Sequence, residues 1–314
     1  MTYSRIATTA MLIQHGNHEQ IRKLVRSGDL CRLRRGAYHL GPLDPDEDDP
    51  GGYLAHRRLI SATLPQLHPD AVLCHGSAAV LHGLPVWWNS LRAVHVMRDG
   101  NAGGQRREYV HLHRTPLADH EITMVDGLMV TSLARTVADL GRAGPTMESV
   151  AAGDYALRLG LDPQELQQVL KSMYRWPGIR DARWMTGFLD IRSESPGESA
   201  SRVRMEIEGV PKPELQRNIY DDDGTFIARV DFMWEEQRTV GEFDGEIKYT
   251  RLLRPGQTRQ DVLDEQGARE DAIRCAGWEV ARWGWPQLSK SVEMGDRIRT
   301  AFRVARERRL HLAA

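Results

Sequence analysis

Two apolar arms flank a polar tetrad in the C-terminal third of this 314-residue chain, and they carry three carboxylates at fixed spacing. The first arm is Ala228-Arg229-Val230-Asp231-Phe232-Met233-Trp234, and the second is Thr239-Val240-Gly241-Glu242-Phe243-Asp244-Gly245. Between them, Glu235-Glu236-Gln237-Arg238 has the polarity of a turn. An even loop centred between Glu236 and Gln237 puts Asp231 opposite Glu242, where Cβ atoms lie roughly 4.5–5.5 Å apart. The two-residue side-chain period places Asp244 on the same face as Glu242 and turns Val230, Phe232 and Phe243 toward a core. Three carboxylates on one face repel unless something positive lies between them. A hard cation with oxygen ligands fits that need, and a solvated edge face is the other reading.

Residues 1–41 behave as a unit. Ile6, Ala10 and Ile13, then Ile21, Leu24 and Val25, recur at helical spacing, with Gly16-Asn17 between them. Leu30-Cys31-Arg32-Leu33-Arg34-Arg35-Gly36-Ala37-Tyr38-His39-Leu40 alternates apolar and basic residues around one glycine, as a tight hairpin does. Helices followed by a basic hairpin predict a winged helix-turn-helix. Seven Lys/Arg against Glu19 and Asp29 give this stretch a balance of +5, suited to a phosphate backbone. Arg22, Lys23 and Arg26 are expected to face the major groove, and Arg32, Arg34 and Arg35 a flanking phosphate or the minor groove. A small helical cap with a basic face that binds nothing is the alternative.

Five acids in 42–52, among Pro and Gly, mark a linker and offset that +5. From Tyr53 to about Asp190 the pattern is α+β. Helices are expected over 53–67, from Ser77, from Thr131 or Ser132, and over 147–159, 163–174 and 181–189. Ala93–Arg98, Tyr109–Arg114 and Leu128–Val130 read as strands. Arg135 and Asp139 are four apart on a helix, spaced to pair. His75 with Ser77 and His82, or Ser132 with Asp139, resemble hydrolase parts, but no GxSxG elbow accompanies them. His111 and His113 alternate on one strand and read as surface or hydrogen-bonded residues rather than metal ligands. Trp87-Trp88 reads as packing or a docking surface.

The formal net charge of -1 confines any nucleic-acid surface to a local patch. No apolar stretch is long enough to span a bilayer, and no signal-peptide core opens the chain. Cys31, Cys74 and Cys275 are scattered, without CxxC spacing, as reduced cytoplasmic thiols are. A cytoplasmic location without membrane attachment is expected.

The helix Ile21-Arg22-Lys23-Leu24 and the wing Leu33-Arg34-Arg35-Gly36-Ala37-Tyr38 resemble the winged helix-turn-helix of AbiEi-type antitoxins, DNA-binding autoregulators of type IV toxin–antitoxin pairs. His75–Pro85 and Thr131–Asp139 resemble the segment downstream of that head in many actinobacterial proteins. From about Glu194 the chain resembles the Vsr-like or DUF559-type branch of the PD-(D/E)xK nuclease fold. There Ser195–Arg202 matches the first helix, Pro213–Ile219 the first strand, Asp231-Phe232 the first metal-ligand Asp and Glu242-Phe243-Asp244-Gly245 the ExDG segment. Arg269–Trp283 matches the closing helix and strand. Two departures stand out: Asp244 occupies the place of the fold's usual lysine, and Gln266 follows Glu265 where a lysine is common. Lys248 stands where the branch tends to carry His.

The resemblance implies three parts, 1–41, 53–190 and 194–314: a winged helix-turn-helix, an α+β middle, and an α/β restriction-endonuclease-like domain. Duplex DNA and a cognate toxin protein are the implied partners, and Mg²⁺ or Mn²⁺ the implied cofactor. Asp231 and Glu242 would hold the metal, with Asp244 or Glu198 completing its shell. Lys248 would stand near the attacking water, and Gln216 would orient phosphate or water. Cleavage needs the metal to activate water and a cation near developing charge. The terminal helix, with Arg297, Arg299, Arg303, Arg306, Arg308 and Arg309, adds either backbone contacts or a solvated basic face. Two functions stand open: a DNA-binding regulator of antitoxin type, in a toxin–antitoxin or phage-defence context, and a metal-dependent DNA endonuclease targeted by the same head.

Overall fold

The head opens on a strand, not on the helix that the spacing of Ile6, Ala10 and Ile13 suggests. Ile6–Thr8 forms β1 and pairs antiparallel with the hairpin's second strand. Thr8 then caps a helix of five residues, α1 (Thr9–Ile13). Asn17 closes a capping box with Gln20 and starts α2 (His18–Ser27), which ends on the left-handed Gly28. The hairpin comes next as β2 (Leu30–Arg34) and β3 (Ala37–Leu40), completing a three-stranded sheet of order β1-β3-β2.

The structure, a computed structural model, describes residues 5–43, 49, 51–100, 103–144, 146–245, 258–290 and 292–312. Most of the acidic linker, 44–48 and 50, lies outside them. The chain forms two compact units, Met1–Gly187 and Phe188–Ala314. The expected head and middle therefore share one unit. After Gly52, α3 (Tyr53–Thr63) packs on β1 and β2, and Arg34 of β2 donates to the Ala62 carbonyl at 2.6 Å.

The middle of the first unit is α+β. Its strands are β4 (Val72–Leu73), β5 (Val94–Arg98), β6 (Gln105–Arg106), β7 (Val110–Arg114), β8 (Ile122–Val125) and β9 (Leu128–Thr131). They form one mixed sheet of order β6-β7-β5-β4-β9-β8. Between β4 and β5 runs α4 (His75–His82). Ile60, Leu73, Leu81, Val94, Val96 and Val130 fill the layer between helices and sheet. Four more helices complete the unit: α5 (Leu133–Ala143), α6 (Thr146–Arg158), α7 (Pro163–Ser172) and α8 (Ile179–Phe188). Each lies within a few residues of its sequence expectation, because Ser132 and Asp162 supply N-cap oxygens at the starts of α5 and α7.

The second unit starts with α9 (Pro196–Ile207), capped by Ser195, with Pro196 in its first turn. Next come β10 (Glu214–Tyr220), β11 (Phe226–Trp234) and β12 (Thr239–Phe243), paired antiparallel in that order. A long helix, α10 (Arg259–Cys275), leads to β13 (Glu279–Trp283), which joins β12 in parallel. The short α11 (Trp285–Ser289) and α12 (Glu293–Leu312) end the unit. Val230, Val240, Ile273, Trp278 and Val280 share its core. Among the described residues, no helix is long and apolar enough to cross a membrane.

Candidate functional site

The acidic hairpin forms with the expected turn. Phe232 pairs with Gly241, Met233 with Val240 and Trp234 with Thr239, and one step further the same register brings Asp231 level with Glu242. Asp231 Oδ2 accepts the Phe243 backbone N–H at 2.9 Å, tying the strands at that level. On the other side, Gln216 lies between the pairs Leu215–Phe232 and Arg217–Val230, also level with Asp231. Its Nε2 donates to Glu198 Oε2 at 2.9 Å and to Asp231 Oδ1 at 3.4 Å. The Gln216 backbone is left-handed, with φ of 55°, a conformation that costs a non-glycine residue on the order of 1–3 kcal/mol and persists where surrounding contacts over-determine it.

Glu198 reaches this cluster because α9 lies close against β12. A Cβ on Gly197 would stand 1.9 Å from Phe243 Cε1, so only glycine allows that approach. Glu198 Oε2 also accepts the Glu194 backbone N–H at 2.8 Å. Burial, and then the nearby Asp231 charge, push the Glu198 carboxyl above the usual range. The folded state therefore holds this proton more tightly than the unfolded chain does. The resulting stability is complete below the unfolded pKa, about 4.3, and is lost as pH rises through the raised value. Glu198→Gln should flatten the fall in melting temperature from about pH 4.5 to neutrality; an unchanged slope would assign that fall to other groups.

Glu242 and Asp244 meet arginines. Glu242, 3% exposed, receives Arg269 on Oε1 at 2.6 Å and Arg282 on Oε2 at 2.7 Å. Arg282 also grips Asp244 with two N–H···O contacts of 2.9 Å and reaches Glu270 at 3.2 Å. Its place is set by the parallel pairing of β12 with β13, in which Glu242 and Arg282 are register partners. Burial alone would lower the Arg282 pKa, but the Asp244 hydrogen bonds and the charges of Glu242 and Asp244 raise it. The positive charge beside Glu242 and Asp244 thus comes from arginine side chains, while Asp231 is met by Gln216 and the Phe243 N–H. Among the described residues, the one His/Cys/Asp/Glu group whose ligand atoms all lie within 4.8 Å of one another is elsewhere, at Cys74, His75 and His113. Asp231, Glu242 and Asp244 do not converge on one ion in this arrangement, and Arg282 stands between two of them. Lys248 lies outside the described residues.

Arg269 and Arg282 escaped sequence reasoning. Arg282 did leave a signal, a charge inside the buried strand Glu279–Trp283, while Arg269 is one arginine among several on a polar helix. Four of the six arginines singled out on α12 have partners in the unit: Arg297 with Glu293, Arg299 with Asp296, Arg308 with Glu279, and Arg309 with the Glu236 carbonyl.

The head presents Arg22, Lys23 and Arg26 exposed on α2, and Arg32 and Arg35 exposed on the hairpin. Arg34 corrects the expectation of a wing contact. It is 7% exposed, and its guanidinium donates to the carbonyls of Ala62 and Arg35. The register of β2 against β3 shifts between Arg32 and Arg34, so Arg34 does not keep the exposed side of Arg32 and turns inward, where it ties the hairpin to α3.

Four of the hydrolase-like residues of the middle, Ser77, His82, Ser132 and Asp139, make structural contacts. Ser77, fully buried, contacts His56 Nε2 at 2.9 Å and accepts the His95 backbone N–H. Ser132 caps α5, His82 contacts the Thr131 carbonyl, and Asp139 pairs with Arg135.

No family model matches the chain. An uncharacterised protein of Mycobacterium tuberculosis strain H37Rv is 29% identical over 227 residues, covering 72% of this chain and 78% of that protein. A protein of strain CDC 1551, also uncharacterised, is similar to the same extent.

Proposed function

We propose that the protein is a cytoplasmic DNA-binding regulator of the AbiEi antitoxin type, which represses its own operator in a toxin–antitoxin or phage-defence setting. The observation that carries this reading is the head. Five cations stand exposed on α2 and the adjoining hairpin, while Ile21, Leu30 and Ala37 turn inward. The order β1-α1-α2-β2-β3 suits a winged helix-turn-helix, with α2 as reading helix and the hairpin as wing. A cognate toxin protein is the partner that the antitoxin reading implies for the remainder of the chain.

The test is a gel shift on duplex DNA across a salt series. The variant pair is Arg32→Ala with Arg35→Ala, since Arg34 belongs to the packing. Affinity should fall about evenly across sequences, and the slope of log affinity against log salt should flatten by about one per lost phosphate contact. Unchanged affinity would remove the hairpin from the DNA surface, and loss at only one sequence would make it a base reader.

A metal-dependent endonuclease is the second reading. It is favoured by the meeting of Glu198 of α9 with Gln216 and Asp231, which stand on strands level with Glu242. The order α9-β10-β11-β12-α10-β13 is also that expected of a PD-(D/E)xK (Vsr/DUF559-type) fold. Arg282 across Glu242 and Asp244 weighs against it. Plasmid incubated with Mg²⁺ or Mn²⁺, beside an Asp231→Ala control, decides: cleavage by the parent alone would establish the nuclease.

A further inference from the structure

Away from the acidic hairpin, three imidazoles and a thiol gather where the β4–α4 corner meets β7. Cys74 Sγ and His75 Nδ1 are 3.2 Å apart, and both residues are buried. The His75 ring stacks on that of His113, with centroids 4.0 Å apart and planes 17° from parallel. His95 Nδ1 contacts His113 Nε2 at 3.0 Å. One ligand atom from each of Cys74, His75 and His113 falls within 4.8 Å of the other two.

Neighbouring residues on an extended chain point to opposite sides. Cys74 and His75 share a side because the backbone turns left-handed at His75, with φ of 48°. That turn opens α4 directly after the β4 strand. The third residue arrives from 38 positions away, because β7 pairs with β5 and β5 with β4. A strained corner, a remote strand and three soft donors thus meet at one point, and neither basic head nor acidic hairpin has a part in it.

We propose that Cys74, His75 and His113 bind a zinc ion, a site of one thiolate and two imidazoles with water in the fourth position. That donor set suits Zn²⁺, with bonds of about 2.3 Å to sulfur and 2.0–2.1 Å to nitrogen. Tetrahedral geometry then sets donor–donor separations of about 3.3–3.6 Å, close to the 3.2 Å between Cys74 and His75. Imidazoles ligate in their neutral form and a thiol as thiolate. Zinc binding releases the Cys74 thiol proton to solvent, so affinity rises with pH. His95 holds the His113 ring in place, as outer partners of zinc ligands do. The ion clips the β4–α4 corner to β7.

The experiment uses the full chain, stripped with a chelator and reloaded. Zinc should bind at about one equivalent per chain and raise the melting temperature. Co²⁺ in its place should give a thiolate-to-cobalt charge-transfer band. Cys74→Ser should abolish that band, whereas the Cys31→Ser/Cys275→Ser double variant should keep it. His113→Asn, at a partly exposed position, should weaken zinc binding at least about 100-fold, and it carries the test if Cys74→Ser fails to fold. Absence of the band in the parent, its survival in Cys74→Ser, or unchanged zinc affinity in His113→Asn would overturn the site and leave a stack of neutral imidazoles.

Discussion

Replacing Arg135 with alanine is expected to destabilise the first unit by about 4 kcal/mol. Arg135 is 1% exposed, and it uses every arm of its guanidinium inside the fold. Nη1 reaches Glu121 Oε2 at 2.6 Å and Nε reaches Asp139 Oδ2 at 2.9 Å. Further contacts go to the Pro116 carbonyl and Thr115 Oγ1. Its removal strands two carboxylates whose side chains are 6% and 0% exposed, and an uncompensated buried charge is what makes breaking such a group costly. Arg142, 3.1 Å from Asp139, limits the loss without cancelling it. Urea unfolding followed by circular dichroism measures the effect. Adding Glu121→Gln and Asp139→Asn to the variant should recover part of the stability, since the stranded charges then vanish. A loss under about 1 kcal/mol, the size of an exposed pair, would mean that the network is not the organising element of this unit.

Replacing Arg282 with alanine should cost the second unit about 3 kcal/mol and change its response to divalent cations. Glu242 would keep Arg269 alone, and Asp244 would lose both contacts from Arg282. The carboxylates on this face would then repel one another without their shared cation. Mg²⁺ should raise the melting temperature of this variant more than that of the parent, because in the parent arginine already holds the same oxygens. Mass action allows about 2.7 kcal/mol when the ion is at 100 times its dissociation constant. An equal or larger response in the parent, abolished by Asp231→Asn, would show that the cation displaces Arg282 unaided, and would favour the endonuclease reading.

Features governed by local periodicity were legible along the chain. A two-residue period and an even turn placed Asp231 against Glu242, since register in a hairpin is set by its loop. Helical spacing paired Arg135 with Asp139, and Ser132 announced a helix start through the oxygen it offers to an unpaired backbone N–H group. Long-range packing settled the remainder. Ile6–Thr8 became a strand because β3, some thirty residues on, offers it an edge to pair with; three residues carry too little pattern of their own. Arg34 went to α3 rather than to a wing because a helix beyond the linker packs on that face of β2. The counter-ion of Glu242 was fixed by the parallel pairing of β12 with β13, which brings Arg282 from forty positions away. The thiol and imidazoles likewise met only through the β4-β5-β7 strand order. Pairing across long sequence distance is chosen by the burial of whole faces, and no short window of residues records that choice.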